Sequence, residues 1–443
     1  MKKILSFCLC SSLISCAIQA DEPRTPVVTN QIKNVIMIVG DGMGPAYTTA
    51  YRYYNDDPNT PQIEETVFDR HLVGMSSTYP APVSGYVTDS AAGATALATG
   101  TKSYNGAISV DVNKQALTTV LEQAKKIGKK TGVVVTSQVN HATPASYITH
   151  NESRKNYNAI ADSYIDNGIN IDLLFGGGTR YFIRDDRNLV EEFKDQGFQY
   201  IDNYSQLNVI NKNTPVIGLF APVGLPWSLD DTNKHRLSAM TKAATAQLEN
   251  ENGYFMLVEA SQIDWGGHSN DIASAMSEMD DLAKTLIFLE EYVKTHPDTL
   301  VVLTADHSTG GLTLGVNGEY KWQPSVFKSM KQSSRSIAEF IAEKDFTAKE
   351  LTSMLTFAIT EKQFSQLQAI KNDESESMTK SKLIAKLYAT LNQFISEKSY
   401  TGWTTHGHTA VDVPVFAIGK GHEDFGNKID NTDVAKKIFS LLK

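Results

Sequence analysis

Six short runs of Val, Ile, Leu, Met and Phe constrain this chain more than anything else in it. They are Asn34 to Val39, Thr131 to Ser137, Leu173 to Phe175, Tyr254 to Val258, Leu300 to Thr304 and Val413 to Ile418. Most show no polar alternation, so both faces of such a strand must be covered. Between them lie stretches of helical period: Gln115 to Ile127, Ile272 to Val293 and Thr432 to Leu442. Strand, helix, strand implies crossover connections and parallel pairing. The expected fold is an α/β three-layer sandwich, with a large, mostly parallel central sheet flanked by helices.

Open α/β sheets carry their sites where strands end. Asp41 follows the first run, within Gly40-Asp41-Gly42-Met43-Gly44-Pro45. A dinucleotide fingerprint is rejected there, because Pro45 occupies its last Gly position. His141 and Thr143 follow the second run, and Arg154 comes soon after. Glu259, Asp264, Trp265 and His268 follow the fourth, and Asp306-His307 the fifth. Gly266-Gly267 argues against a regular helix there, so these groups are expected on a shaped loop. His408 precedes the sixth run. Leu173-Leu174-Phe175 runs into Gly176-Gly177-Gly178, read as a tight turn. His150 and Glu152 are read as surface residues, and His71, His235, His296 and His422 as ordinary histidines. Residues 183–250 are mixed and uninformative.

Asp89-Ser90-Ala91-Ala92-Gly93-Ala94-Thr95-Ala96-Leu97-Ala98-Thr99-Gly100 is a helix of small residues with a glycine stop. Without bulky side chains it can pack tightly. Its first turn offers unpaired N–H groups and partial positive charge to an anion. Ser90 stands there with a hydroxyl able to attack, although Asp89 or Ser90 could equally be a plain N-cap.

The formal net charge of −9 argues against a nucleic-acid binder. Lys2-Lys3 and the apolar run Ile4 to Ile18, ending at Ala20, read as a secretory signal cleaved after Ala20. Leu13-Ile14-Ser15-Cys16 also resembles a lipoprotein box, the weaker alternative. Removing residues 1–20 takes the charge to −11, because Lys2 and Lys3 leave. Cys8, Cys10 and Cys16 leave with it, and they are all the cysteines present. The mature chain then has neither disulfide nor thiolate ligand, so metals must be held by His, Asp, Glu and hydroxyls. No other apolar run is long enough to span a bilayer. From about 312 to 402 the composition turns to Lys, Glu, Ser and Gln in helical pattern, read as a helical insertion in one domain.

Taken together, Asp41, Ser90, Thr143, Arg154, Glu259, Asp264, His268, Asp306, His307 and His408 form one constellation. Histidines with carboxylates suit zinc. Asp41, Thr143 and Glu259 are hard oxygen donors that suit magnesium. Two metals around a hydroxyl nucleophile suit in-line displacement at phosphorus. Arg154 can grip two phosphate oxygens with its planar fork.

Asp41-Gly-Met-Gly, Asp89-Ser90-Ala-Ala, Ala98 to Ala107, Ala142-Thr143-Pro-Ala, Glu259…Asp264…His268, Ala305-Asp306-His307 and His408-Thr-Ala follow one another in an order that resembles the alkaline phosphatase family. The resemblance covers about residues 34–310 and 403–419. It implies a phosphomonoesterase with a phosphoserine on Ser90. It further implies two Zn2+ and one Mg2+ per subunit. One zinc would be held by Asp264, His268 and His408, the second by Asp41, Asp306 and His307. Magnesium would be held by Asp41, Thr143 and Glu259, and Arg154 would bind phosphate. His408, rather than His406, keeps the family spacing to Val413. A homodimer acting on small phosphate monoesters in the periplasm or outside the cell is implied, and the 312–402 insertion resembles the family's variable crown. Enteric members carry Asp and Lys where this chain has His141 and Trp265, whereas marine cold-active members resemble it there. These two residues are expected to modulate the magnesium site and phosphate affinity.

Two rivals remain. A phosphodiesterase of the same superfamily tends to use Thr as nucleophile and to lack the magnesium-type Glu. A secreted phosphate-binding protein would need neither Ser90 nor the metal set. A sulfatase is excluded, since no Cys/Ser-x-Pro-x-Arg setting occurs.

Overall fold

A computed structural model describes residues 32–373 and 378–442. The signal segment, with Cys16 and Ala20, lies outside the described residues. The strands are β1 (Asn34–Val39), β2 (Leu72–Ser77), β3 (Lys130–Gln138), β4 (Leu173–Gly177), β5 (Gln199–Ile201), β6 (Val216–Leu219) and β7 (Tyr254–Glu259). After them come β8 (Thr299–Thr304), β9 (Ser308–Thr309), β10 (Thr313–Leu314), β11 (Thr401–Gly402), β12 (His408–Thr409), β13 (Val413–Gly419) and β14 (Asn427–Asp430). Ten form one sheet in the order β14-β2-β13-β8-β1-β7-β3-β4-β6-β5. All neighbours pair in parallel except β13, which runs antiparallel to β2 and β8. The expected mostly parallel sheet is therefore present.

The uninterrupted apolar runs follow from burial on both faces. In β1, Ile36 and Ile38 join one core, while Val35, Met37 and Val39 join the other. All five are at most 1% exposed. Each such side chain contributes roughly 1.5–3 kcal/mol by leaving water. Helices Arg236–Leu248 and Ile272–Thr295 cover the Ile36 face. Helices Ser90–Thr99, Val120–Lys126, Ala142–Ile148 and Asn431–Leu441 cover the other. Helices Ser334–Glu343, Ala348–Leu355, Glu361–Lys371 and Lys380–Ser399 follow β10, and their apolar sides continue the core of the Ile36 face.

Three expectations need correcting. The helix expected from Gln115 starts at Val120, because Thr119 and Glu122 form a capping box that fixes its first turn. Residues 183–250, uninformative as sequence, hold β5, β6 and the Arg236–Leu248 helix. Gly266-Gly267 does not break the local helix: Gln262–His268 is helical. A Cβ on Gly266 would lie 3.0 Å from Ala275, so the glycine lets the next helix cross closely. Packing outweighs a propensity loss of about 1 kcal/mol per glycine.

Candidate active site

The central strands β8, β1, β7 and β3 lie side by side and parallel, so their C-terminal ends open on one edge. Asp306-His307, Asp41, Glu259 and His141-Thr143 leave from those ends. Asp264 and His268 sit one turn apart on the helix after β7, and so share a face. His408 arrives on β12, which pairs antiparallel with β9 and sets His408 opposite Thr309.

Ser90 opens its helix as expected. Asp89 is the N-cap, accepting from the Ala92 amide at 2.9 Å, and Gly100 closes the helix in the left-handed conformation at φ 73. Small residues let this helix lie against the strand ends. A Cβ on Gly93 would sit 2.9 Å from the Asp306 carbonyl oxygen. Ser90 is 2% exposed, and its Oγ lies 3.1 Å from His307 Nε2. Asp89 also holds Arg154, whose Nη1 donates to Oδ2 at 3.0 Å. The neighbouring Thr88 carbonyl accepts from His408 Nδ1 at 2.8 Å. One turn thus anchors nucleophile candidate, arginine and a histidine.

Asp264, His268 and His408 form a tight triangle. His268 Nε2 is 3.1 Å from His408 Nε2 and 3.4 Å from Asp264 Oδ2, and His408 Nε2 is 3.6 Å from Asp264 Oδ1. Donors at about 2.0–2.2 Å from a tetrahedral Zn2+ stand roughly 3.4 Å apart. The Asp264 edges to His268 and His408 are of that length but fall on different Asp264 oxygens, and Asp264 and His408 also group with His307 within 4.8 Å. Asp41, Asp306 and His307 form a second group: His307 Nε2 is 3.4 Å from Asp41 Oδ1 and 3.2 Å from Asp306 Oδ2. A third joins Asp41, His141 and Glu259, with ligand atoms within 4.8 Å of one another. Thr143, expected with this third group, is fully buried beside Glu259. His141 adds an imidazole to the same group.

Hydrogen bonding orients each histidine. His268 Nδ1 faces the His406 carbonyl oxygen, while His406 Nδ1 faces the His268 carbonyl oxygen at 3.0 Å. His406 is therefore a brace, and His408 presents the ring nitrogen to the cluster. With Nδ1–H donating outward in His268 and His408, both Nε2 lone pairs point inward. Asp306 Oδ1 accepts from the amides of His307 (3.1 Å) and Gly42 (3.3 Å), leaving Oδ2 free. Gly42 has φ 72, a conformation that suits glycine, and a Cβ there would lie 2.8 Å from Asp264 Cα.

The residues fit bound cations. Both oxygens of Asp41, Glu259 Oε1, Asp306 Oδ2, Thr143 Oγ1 and His141 Nδ1 are buried without hydrogen-bond partners. Such orphans are costly unless something positive sits among them. Burial, then the charge of Asp306, pushes the Asp41 carboxyl well up. Burial, then Asp264, does the same to Asp306. Burial pushes Glu259 up to about 7. Burial drives His307 and His408 down and His141 down to about 3, so their imidazoles are neutral. Neutral imidazoles and crowded carboxylates are a cation's ligand field.

Arg154 Nη2 lies 3.3 Å from His141 Nε2, and the His141 ring meets Trp265 edge-on with centroids 6.1 Å apart. Of the two expected modulators, His141 adjoins the arginine and Trp265 packs on His141. Sequence reasoning missed Thr309, which touches both Asp264 and His307. The only sequence signal was its place two residues beyond His307.

The alkaline phosphatase family model matches residues 32–443. The chain belongs to the alkaline phosphatase family. It is a hydrolase of phosphate monoesters, as that family is. It is 44% identical to alkaline phosphatase 3 of Bacillus subtilis, over 99% of this chain and 96% of that one. It is 32% identical to the repressible alkaline phosphatase of Saccharomyces cerevisiae, over 97% and 84% respectively. Among solved structures it resembles a cold-active alkaline phosphatase from a psychrophilic Shewanella species. That likeness has 50% identity and a TM-score of 0.87, over 93% of this chain and all of that one. A TAB5 alkaline phosphatase mutant, 26% identical with a TM-score of 0.67 over 93% of this chain and 98% of that one, holds Mg in its M3 site.

Proposed function

We propose that this family member cleaves phosphate monoesters through a phosphoserine on Ser90, with two Zn2+ and one Mg2+ in its three ligand groups. The observation that carries this is Ser90 Oγ at a helix N-terminus, 3.1 Å from His307 Nε2 and beside buried, unpaired carboxylate oxygens. Asp264, His268 and His408 would hold one Zn2+, and Asp41, Asp306 and His307 the other. Asp41 and Glu259, with Thr143 or His141, would hold Mg2+. When bound, these cations supply Lewis-acid charge that lowers the pKa of a hydroxyl or water and stabilises a leaving oxygen.

The chain's own residues do the rest. Arg154, fixed through Nη1 on Asp89, offers its remaining N–H groups to phosphate oxygens. The first amides of the Ser90 helix add partial positive charge. Ser90 Oγ attacks phosphorus, the ester P–O bond breaks, and the alcohol leaves. Water then splits the Ser90 Oγ–P bond, releasing inorganic phosphate and restoring the hydroxyl. We further propose a homodimer, export directed by residues 1–20, and a crown-like role for the 312–402 insertion. Among the described residues, no helix is long and apolar enough to cross a membrane.

The test is hydrolysis of p-nitrophenyl phosphate against bis-p-nitrophenyl phosphate at pH 9, with EDTA and with zinc and magnesium restored. Monoester turnover lost with EDTA, regained with the metals and abolished in Ser90→Ala is expected. Preference for the diester would move the function to the diesterase branch. Stoichiometric phosphate binding without turnover would make it a binding protein.

A further inference from the structure

Thr309 lies on β9, two residues past His307, and is fully buried. Its Oγ1 donates to Asp264 Oδ1 and lies 3.2 Å from His307 Nδ1. A hydroxyl has one proton to give. Given to Asp264, it leaves Oγ1 to accept from His307 Nδ1–H. The relay therefore runs His307 Nδ1–H to Thr309 Oγ1–H to Asp264 Oδ1.

This relay adds a hydrogen-bonded link between two groups that share no side chain in the assignment above and that meet directly where the His307 and His408 rings stack, with centroids 3.6 Å apart. Asp264 belongs to the triangle with His268 and His408. His307 belongs to the group with Asp41 and Asp306. Thr309 itself has little freedom. Its amide donates to the Gly42 carbonyl at 3.1 Å, and its carbonyl accepts from the Tyr47 hydroxyl at 2.8 Å. A Cβ on Gly42 would come within 2.7 Å of its Oγ1, and one on Gly267 within 3.0 Å of its Cβ. The loop after β1 and the Gln262–His268 helix thus enclose it.

We propose that Thr309 is a positioning residue that couples the two zinc sites. It does so by fixing the Nδ1–H tautomer of His307 and one oxygen of Asp264 through the same hydroxyl. With Nδ1 protonated, His307 Nε2 keeps its lone pair for the cluster. Partners of this kind typically account for 10–100-fold in metal affinity. The shared hydroxyl adds a consequence that two separate partners would lack: ordering Asp264 around one ion pre-orders His307 for the second. The coupling rests on the metal reading proposed above; the tautomer does not.

The experiment uses Thr309→Val, which keeps the shape and loses the hydroxyl, and Thr309→Ser, which keeps it. Nitrogen-15 spectra of the chelated proteins read the His307 tautomer, and zinc titration of the same samples reads affinity. Expected are Nδ1–H in the wild type and Thr309→Ser, and its loss in Thr309→Val. Zinc should bind the wild type cooperatively and Thr309→Val independently, at least 10-fold more weakly for both ions. If Thr309→Val fails to fold, Thr309→Ser still decides, because it must keep both signatures. An unchanged tautomer and affinity in Thr309→Val, or wild-type signatures lost in Thr309→Ser, would overturn the proposal. If wild type binds no zinc but shows the Nδ1–H tautomer, the metal reading and the coupling fail while the positioning of His307 stands.

Discussion

Chelation should lower the melting temperature by an amount the ligand field itself sets. Asp41 has ligand atoms within 4.8 Å of those of Asp306 and Glu259. At an effective dielectric of about 20, two unit charges at that distance repel by roughly 3.5 kcal/mol. Two such pairs amount to roughly 7 kcal/mol once no cation offsets them. Burial adds a separate cost: Glu259, pushed up to about 7, takes about 3 kcal/mol to hold ionised at pH 8. Unfolding entropy near 2.1 cal/mol/K per residue, over about 410 residues, is about 0.9 kcal/mol/K. From repulsion alone the predicted drop is about 8 °C. The assay is calorimetry at pH 8 before and after exhaustive EDTA, with zinc and magnesium restored in a third sample. The pH dependence has a definite sign. Glu259 is raised in the folded state, so its stabilisation is present at low pH and lost as pH rises through about 7. The chelated protein should melt higher at pH 6.5 than at pH 8. An unchanged curve after chelation, or a chelated protein that melts higher at pH 8, would refute the reasoning.

Two further predictions concern the residues beside Arg154. His141 is held neutral by burial, then by Arg154, with its pKa near 3 against about 6.5 unfolded. Its stabilisation is present above pH 6.5 and lost as pH falls, at up to about 1.4 kcal/mol per unit. His141→Gln should flatten the acid limb of urea-melt stability in EDTA, and an identical slope in both proteins would exclude this origin. Trp265→Lys places a cation beside the Arg154–His141 pair. At partly screened distances it should tighten inhibition by inorganic phosphate about 5–10-fold, and an unchanged inhibition constant would rule out Trp265 as a modulator of phosphate affinity.

The central strands were legible because helices on both faces demand uninterrupted apolar side chains. The edges were not. β2 carries Gly74, Ser76 and Ser77, and β14 reads Asn-Lys-Ile-Asp, so neither is apolar enough to stand out. β5 is three residues long. The ligand set was legible for the same reason as the centre: chemistry gathers where parallel strands stop, and Asp41, Glu259 and Asp306-His307 mark those stops. Thr309 carried no such mark. Its role depends on β9 pairing with β12 and on the crossing of the Gln262–His268 helix, and both are long-range events.

That helix shows how a local rule misled in an informative way. By propensity Gly266 and Gly267 read as helix breakers, which would put Asp264 and His268 on a loop. A loop must hold two ligands by separate contacts. A helix holds them by its period, since residues four apart lie on one face. The glycines are what permit the helix here. Gly266 leaves room for Ala275, and Gly267 leaves room for the Tyr47 hydroxyl and Thr309. Any larger residue would push the helix away from β9. Asp264 would then leave the Thr309 hydroxyl, and His268 would leave the His406 carbonyl. The weakest helix formers in the segment are therefore what bring its two ligands to the strand ends.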